Sequence, residues 1–207
     1  LYDVDVRILD KDQIKKDYPI VNTDEVLGGI LMPGDGAADP SGVTHMLAKA
    51  ARMEGAKIFE KSPVDEIITK NGKISGVKVN GQLIDCEYIV LASGMWSRQI
   101  GEKAGVSIPL YPAEHFYIIT EPIENLSKTL PVIRDFDNRT YIKEDAGKIL
   151  VGIFESQSIP AWDKINKVPE DFSFGEFQEN FEHFEPYLAT AIKRFPVLET
   201  AGIRKFF

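Results

Sequence analysis

A single cysteine, Cys86, is all the thiol chemistry these 207 residues carry. One thiol closes no disulfide within the chain, and its place before the apolar Tyr88-Ile89-Val90 reads as packing, so a reducing, cytoplasmic compartment is the expectation. Long hydrophobic runs are missing as well. Stretches such as Tyr88 to Ala92 and Phe116 to Ile119 fall far short of the roughly 20 apolar residues a spanning helix needs, so no membrane segment is expected. Blocks of Lys or Arg are absent and the formal net charge is −8, which removes the positive field that nucleic-acid and anionic-membrane binding depend on. Elimination leaves a small molecule or a protein as the partner. No His, Cys or carboxylate residues stand at metal-ligand spacing, and no metal is expected; the Glu-rich stretch around 174–195 lacks a calcium-loop pattern. Ser93 is not framed as Gly-x-Ser-x-Gly, which leaves a serine-hydrolase reading without support. Neither an initiator Met nor a charged-then-apolar leader opens the chain, and it ends inside the strand-like Ile203 to Phe207. The expectation is a piece of a longer polypeptide.

What is present is a globular composition, 43% hydrophobic and 27% charged, with enough apolar residues for a sizeable core. Asp10 is placed to cap a short polar helix to Asp17, which Tyr18-Pro19 ends because the residue before proline avoids helical backbone. Val26 to Met32 reads as a strand. The turn-rich Pro33-Gly34-Asp35-Gly36 leads to Asp39, a cap for the helix that Pro40 opens, with Val43, Met46, Leu47, Ala50 and Ala51 on one stripe and Gly55 as its end. The period then changes to that of strands: 56–59, 64–69, 73–79 and 82–86, the last two entered through Asn71-Gly72 and Asn80-Gly81 hairpin turns. Tyr88 to Ala92 has the continuous apolar character of a strand buried on both faces, breaking at Ser93-Gly94 into a helix from Trp96 to Ala104. That order is the second half of a dinucleotide fold. Beyond Ser107, strands at 115–120, 131–134, 140–143 and 148–154 predict a mainly antiparallel sheet, followed by an irregular 160–174 and a helical region 174–195 interrupted at Pro186.

The strand-turn-helix corner at Val90-Leu91-Ala92-Ser93-Gly94-Met95-Trp96-Ser97 is where nucleotide chemistry is sought. A glycine there admits a phosphate or ribose to the backbone, although a plain α/β turn produces the same pattern. Together with Leu31-Met32-Pro33-Gly34-Asp35-Gly36, Asp39-Pro40, Pro112-Ala113-Glu114-His115-Phe116-Tyr117, Arg134-Asp135 before Tyr141, and Gly152-Ile153-Phe154-Glu155-Ser156, this corner resembles the flavin amine oxidoreductases of the D-amino-acid oxidase superfamily, over essentially the whole chain. Within that superfamily it is similar to dimethylglycine dehydrogenase, sarcosine dehydrogenase and dimethylglycine oxidase.

The resemblance implies an α/β (α+β) fold: a partial FAD-binding, Rossmann-like domain over 33–106, a mainly antiparallel-sheet substrate domain over 107–207, and residues 1–32 leading into the substrate domain. It implies that Val64, Ala92, Ser93, Gly94 and Trp96 line the FAD, and that His115 and Tyr117 face the substrate as catalytic residues. Arg134 and Tyr141 are weaker, position-based candidates for substrate binding, Arg134 because a guanidinium suits a carboxylate. The expected reaction is oxidation of an N-methyl glycine derivative, dimethylglycine or sarcosine, by hydride transfer from the N-methyl carbon to FAD. Another amine or amino acid as substrate, or a non-catalytic interaction module, are the alternatives. The family's Gly-x-Gly-x-x-Gly unit would precede Leu1 and a tetrahydrofolate-binding domain would follow Phe207, so weak FAD binding and self-association through exposed sheet edges are expected of these residues alone.

Read by itself, His115 is more ordinarily a strand histidine satisfied by a neighbour, and Tyr117, on the same sheet face, an aromatic at the core edge. His45 reads as a partly exposed helix residue rather than a ligand, and His183 as part of a solvated acidic face. Trp162 fits a lid or a core anchor.

Overall fold

The structure, a computed structural model, describes residues 3–207. It is an α+β fold in which all strand pairing among the described residues is antiparallel. The chain divides into two compact units interleaved in sequence: the first takes the residues up to Ala37 with Glu114–Ile159 and Phe174–Phe207, the second Ala38–Ala113 with Pro160–Ser173. No helix among the described residues is long and apolar enough to cross a membrane.

In the first unit, β1 (Arg7–Leu9) pairs with β2 (Gly29–Leu31), and between them α1 (Lys11–Asp17) starts at a capping box in which Asp10 and Gln13 satisfy each other's backbone N–H. The main sheet runs β10-β6-β9-β8-β7, from β6 (Tyr117–Thr120), β7 (Ile133–Asp135), β8 (Thr140–Asp145), β9 (Lys148–Ile153) and β10 (Ile203–Phe206). Alternation decides its two faces. Ile118, Ile142, Ile149 and Val151 turn inward with Phe206 and form one core with Phe184 and Ala191 of α4 (Phe181–Arg194) and with Phe195. Thr120 lies on that buried face, and its hydroxyl accepts the Ile149 N–H at 3.0 Å. The opposite face stays half-open.

The expected helix 174–195 is corrected at both its start and its break. It begins at Phe181, capped by Asn180, whose side chain accepts the His183 N–H, and continues through Pro186. Proline there removes one helical donor in the second turn, and the lost bond falls to the exposed Glu182 carbonyl while Phe184 and Ala191 anchor the helix in the core. His183 is not on a solvated face: its ring lies edge-on to Phe116, centroids 5.9 Å apart, and its Nε2 is buried.

In the second unit, α2 (Pro40–Met53) is capped by Asp39, which accepts from Ser41 N and Gly42 N, and has Pro40 at its first position. Then come β3 (Val64–Lys70), β4 (Lys73–Val79) and β5 (Gln82–Asp85), a meander whose turns place Asn71, Gly72, Asn80 and Gly81 all at positive φ, as a two-residue hairpin of this handedness demands. A 3-10 turn, Gly94–Trp96, leads into α3 (Ser97–Glu102). The segment 160–173 is fastened to α3 through Gln99, whose amide both donates to and accepts from the Val168 backbone, at 3.0 and 2.8 Å.

Two expected strands are absent. Residues 56–59 and Tyr88 to Ala92 are extended or irregular without ladder pairing, and Tyr88 and Val90 are 85% and 87% exposed rather than buried. A strand exists through its neighbours, and among the described residues no parallel strand pairs with either run.

Candidate functional site

The half-open face of the five-stranded sheet gathers four of the predicted site residues in one unit. Residues directly opposite on neighbouring strands point to the same side, and the register aligns Arg134 with Tyr141, Tyr141 with Gly152, and Gly152 with Tyr117. Reciprocal backbone hydrogen bonds between Tyr117 and Phe207 extend the row to β10, where the two rings stack at 4.6 Å, 13° from parallel. Four strands and Phe207, the residue after β10, thus present, in order, a guanidinium, a phenol, no side chain, a phenol and a phenyl ring. Phe154 leans against Tyr141 at 5.2 Å between centroids. Arg134 is exposed and, among the described residues, makes no ion pair.

His115 stands two residues before Tyr117, outside the strand proper. Its Nδ1 lies 2.9 Å from Glu155 Oε2, and the other carboxylate oxygen of Glu155 accepts the Phe116 N–H at 3.2 Å. The Glu155 side chain is 4% exposed against 47% for His115, so a buried, doubly engaged carboxylate grips an imidazole whose outer edge reaches solvent. A neutral ring that donates from Nδ1 to a carboxylate carries its lone pair on Nε2, the geometry of a proton acceptor facing outward. A hydrogen bond to a charged partner of this kind is worth about 1.5–3 kcal/mol. Burial pushes the Tyr141 phenol above the ordinary tyrosine range; Tyr117 and Glu155 add to the rise and Arg134 opposes it. The phenol is therefore a neutral hydrogen-bond donor throughout the physiological range.

Sequence reasoning named His115, Tyr117, Arg134 and Tyr141 but gave no role to Glu155, Gly152 or Phe207. A carboxylate 40 residues from its histidine has no local signature. The cross-strand register that aligns Gly152 with two tyrosines is likewise a property of the sheet, although the Gly152 to Ser156 motif had marked the segment.

In the second unit, Ala92 and Gly94 are exposed and Val64, Ser93 and Trp96 half-buried. The Ser93 hydroxyl is 3.1 Å from that of Ser97, and Lys103 Nζ donates to the carbonyls of Val64 and Asp65, which ties the start of β3 to α3. Gly94 takes φ +54°, and the space where its Cβ would stand is open. The turn therefore fits the approach of a ribose or phosphate to bare backbone. At six residues, α3 adds little dipole, and no Gly-x-Gly-x-x-Gly cradle occurs in the sequence.

The polar, aromatic sheet face of the first unit and the open glycine corner of the second are each features that suit the binding of small molecules. Residues 1–206 match the DAO family, and the chain belongs to these FAD dependent oxidoreductases. It is 35% identical over 198 residues to 4-methylaminobutanoate oxidase (formaldehyde-forming) of Paenarthrobacter nicotinovorans, covering 96% of this chain and 24% of that protein. To human mitochondrial sarcosine dehydrogenase it is 33% identical over 208 residues, covering 98% of this chain and 22% of the other. L-proline dehydrogenase from P. horikoshii superposes with a TM-score of 0.81 at 26% identity, over 99% of this chain and 52% of that one. The chain thus spans about a quarter of the length of the curated relatives it matches.

Proposed function

We propose that this chain is the substrate-side part of a flavoenzyme that oxidises the N-methyl group of a small amino acid, a glycine derivative such as sarcosine or dimethylglycine. The observation that carries the proposal is the outward-facing His115 held by buried Glu155 beside the row Arg134, Tyr141, Gly152, Tyr117. The oxidases and dehydrogenases of N-methyl amino acids among the relatives support the same substrate class.

FAD, when bound, supplies the acceptor for the hydride that leaves the N-methyl carbon. Val64, Ala92, Ser93, Gly94 and Trp96 are the residues that would hold it, through the open backbone of the Ser93-Gly94 turn. His115 and Tyr117 act on the amine. An alkylammonium carries its proton where the nitrogen lone pair must be freed before the adjacent carbon can give up hydride, and His115 Nε2 accepts that proton. Glu155 keeps the imidazole in the tautomer that can do so and stabilises the imidazolium that results. Arg134 faces the substrate carboxylate, and the phenols of Tyr141 and Tyr117 donate to its polar atoms while their rings flank the methylated nitrogen.

The test is anaerobic reduction of the flavin-loaded protein by sarcosine, dimethylglycine and 4-methylaminobutanoate, with N-acetylglycine as the control that lacks a basic amine. Bleaching of the visible flavin band by the N-methyl amino acids alone, slowed about 100-fold at neutral pH by His115→Ala, is the expected outcome. A flavin left oxidised by all three sinks the reading and favours an interaction module.

A further inference from the structure

Gly152 lies at the centre of the cross-strand row, buried, with Tyr141 opposite it on β8 and Tyr117 opposite it on β6. A Cβ at this position would overlap the end of the Tyr141 ring, Cε1, Cζ and the hydroxyl oxygen all falling on the same spot. The end of the phenol ring therefore lies over β9, in the space that the Cβ of any other residue would fill. With strands about 4.8 Å apart, the Cα atoms of Tyr141 and Tyr117 are separated by roughly 10 Å, one side chain's width once Gly152 contributes none. The Tyr141 ring closes that gap. Phe154 backs it from one side, and the influence of Tyr117, Glu155 and Arg134 on its hydroxyl puts all three charged or polar groups within electrostatic reach.

We propose that Gly152 is the positioning residue for substrate length: by admitting the Tyr141 ring over β9, it shortens the space between the Arg134 end of the row and the Tyr117–His115 end. The inference rests on the functional reading above, and it narrows the substrate class. With the ring down, the site takes an amine and a carboxylate separated by one methylene, as in sarcosine or dimethylglycine. With the ring displaced, the gap accepts a longer spacer, as in 4-methylaminobutanoate. Gly152 touches neither group of the substrate and acts entirely through Tyr141.

The test is a double-mutant cycle on the flavin-loaded protein, reading the ratio of kcat/KM for 4-methylaminobutanoate to that for sarcosine. Gly152→Ala drives the ring out, and Tyr141→Ala removes it. Each is expected to raise the ratio about tenfold, the scale on which a fitted pocket discriminates one or two methylenes, mainly through KM for the shorter substrate. Combined, they are expected to give no more than either alone, because without the ring the added methyl has nothing to displace. Tyr141→Phe, which keeps the ring but loses the phenol's hydrogen bond, is expected to lower kcat/KM for both substrates and to move their ratio by less than about threefold. Should Gly152→Ala not fold, Tyr141→Ala against Tyr141→Phe carries the ring's part, and the restoration of folding by Tyr141→Ala in the double variant carries the glycine's. A ratio within twofold of the parent in Gly152→Ala, or full additivity of the two changes, overturns the inference while leaving the oxidation reading intact. A parent protein that oxidises no N-methyl amino acid overturns both.

Discussion

In the unit built on the five-stranded sheet, Ile142, Ile149, Val151, Ile153, Phe184 and Phe195 are all at 0% exposure; in the other unit, α2 buries none of its residues, and Met46 and Leu47 stand 61% exposed. Both units have amphipathic patterns of similar quality. The difference lies in what the pattern meets. The β6, β8 and β9 side chains find α4 within their own unit, whereas the Val43, Met46, Leu47 stripe of α2 finds no equivalent cover there. Hydrophobic period therefore predicts that a helix forms and which side is apolar, and it is silent on whether anything covers that side.

The largest effects should fall in the first unit. Phe184→Ala empties a fully enclosed volume between α4 and the sheet, and a loss of about 4 kcal/mol is expected in denaturant unfolding. A loss below about 1 kcal/mol would mean that the core is less cooperative than its packing implies, and the contrast between the units would collapse.

Next in size is Arg194→Ala, at about 3 kcal/mol. Arg194 is 14% exposed and donates from Nε to Asp135 Oδ2 at 2.7 Å and from Nη1 to the Asn22 carbonyl at 2.6 Å, while the Asp135 side chain is only 9% exposed. Removal of the guanidinium leaves a buried carboxylate without its ion-pair partner, held only in part by the two hydrogen bonds from Asn138. Burial pushes the Asp135 carboxyl up, yet hydrogen bonds from Asn138 and Arg194 outweigh it and hold the group below the usual aspartate range. A depressed folded-state pKa gives stability that is present above the unfolded value, near 4, and is lost as pH falls through the folded one. Stability measured from pH 5 downwards should therefore decline below about pH 4 more steeply in the parent than in Asp135→Asn.

Local chemistry was the part of this fold that could be read in advance. Asp39 before Pro40 and the two Asn-Gly turns act within four residues of themselves, and each forms as expected. Tyr88 to Ala92 failed because its apolar run specifies burial but not the neighbouring strand that would provide it. Pro186 failed in the opposite sense, since long-range packing of Phe184 and Ala191 outweighs one missing helical bond. At the candidate site the same division holds. His115 and Tyr117 share a face by spacing alone, whereas Glu155 joins them from 40 residues away and Gly152 matters only through register.

In the second unit, local chemistry should dominate what mutation reveals. Asp39→Ala removes both hydrogen bonds to the first turn of α2, 3.1 and 2.9 Å, and should cost about 1 kcal/mol, or be seen as faster amide exchange at Ser41 and Gly42. Asp39→Asn, which still accepts, should lose less than half of that. A silent Asp39→Ala would mean that α2 is held by tertiary contacts after all.

The smallest effect expected is also the one that most sharpens the comparison. Leu47 sits mid-helix on the apolar stripe of α2 at 61% exposure, so Leu47→Gln exchanges one good helix former for another and removes little buried area. Within this unit alone the change should stay within about 0.5 kcal/mol of neutral. In the first unit, Leu198→Gln places an amide at a 6% exposed position of the core and should cost several times more, on the order of 2–3 kcal/mol, because a buried polar group without a partner is charged its full desolvation. If instead Leu47→Gln costs as much as Leu198→Gln, the stripe is buried in the folded protein. The periodicity of α2 would then report a real interface, and the exposure of Met46 and Leu47 would mark the surface against which it forms.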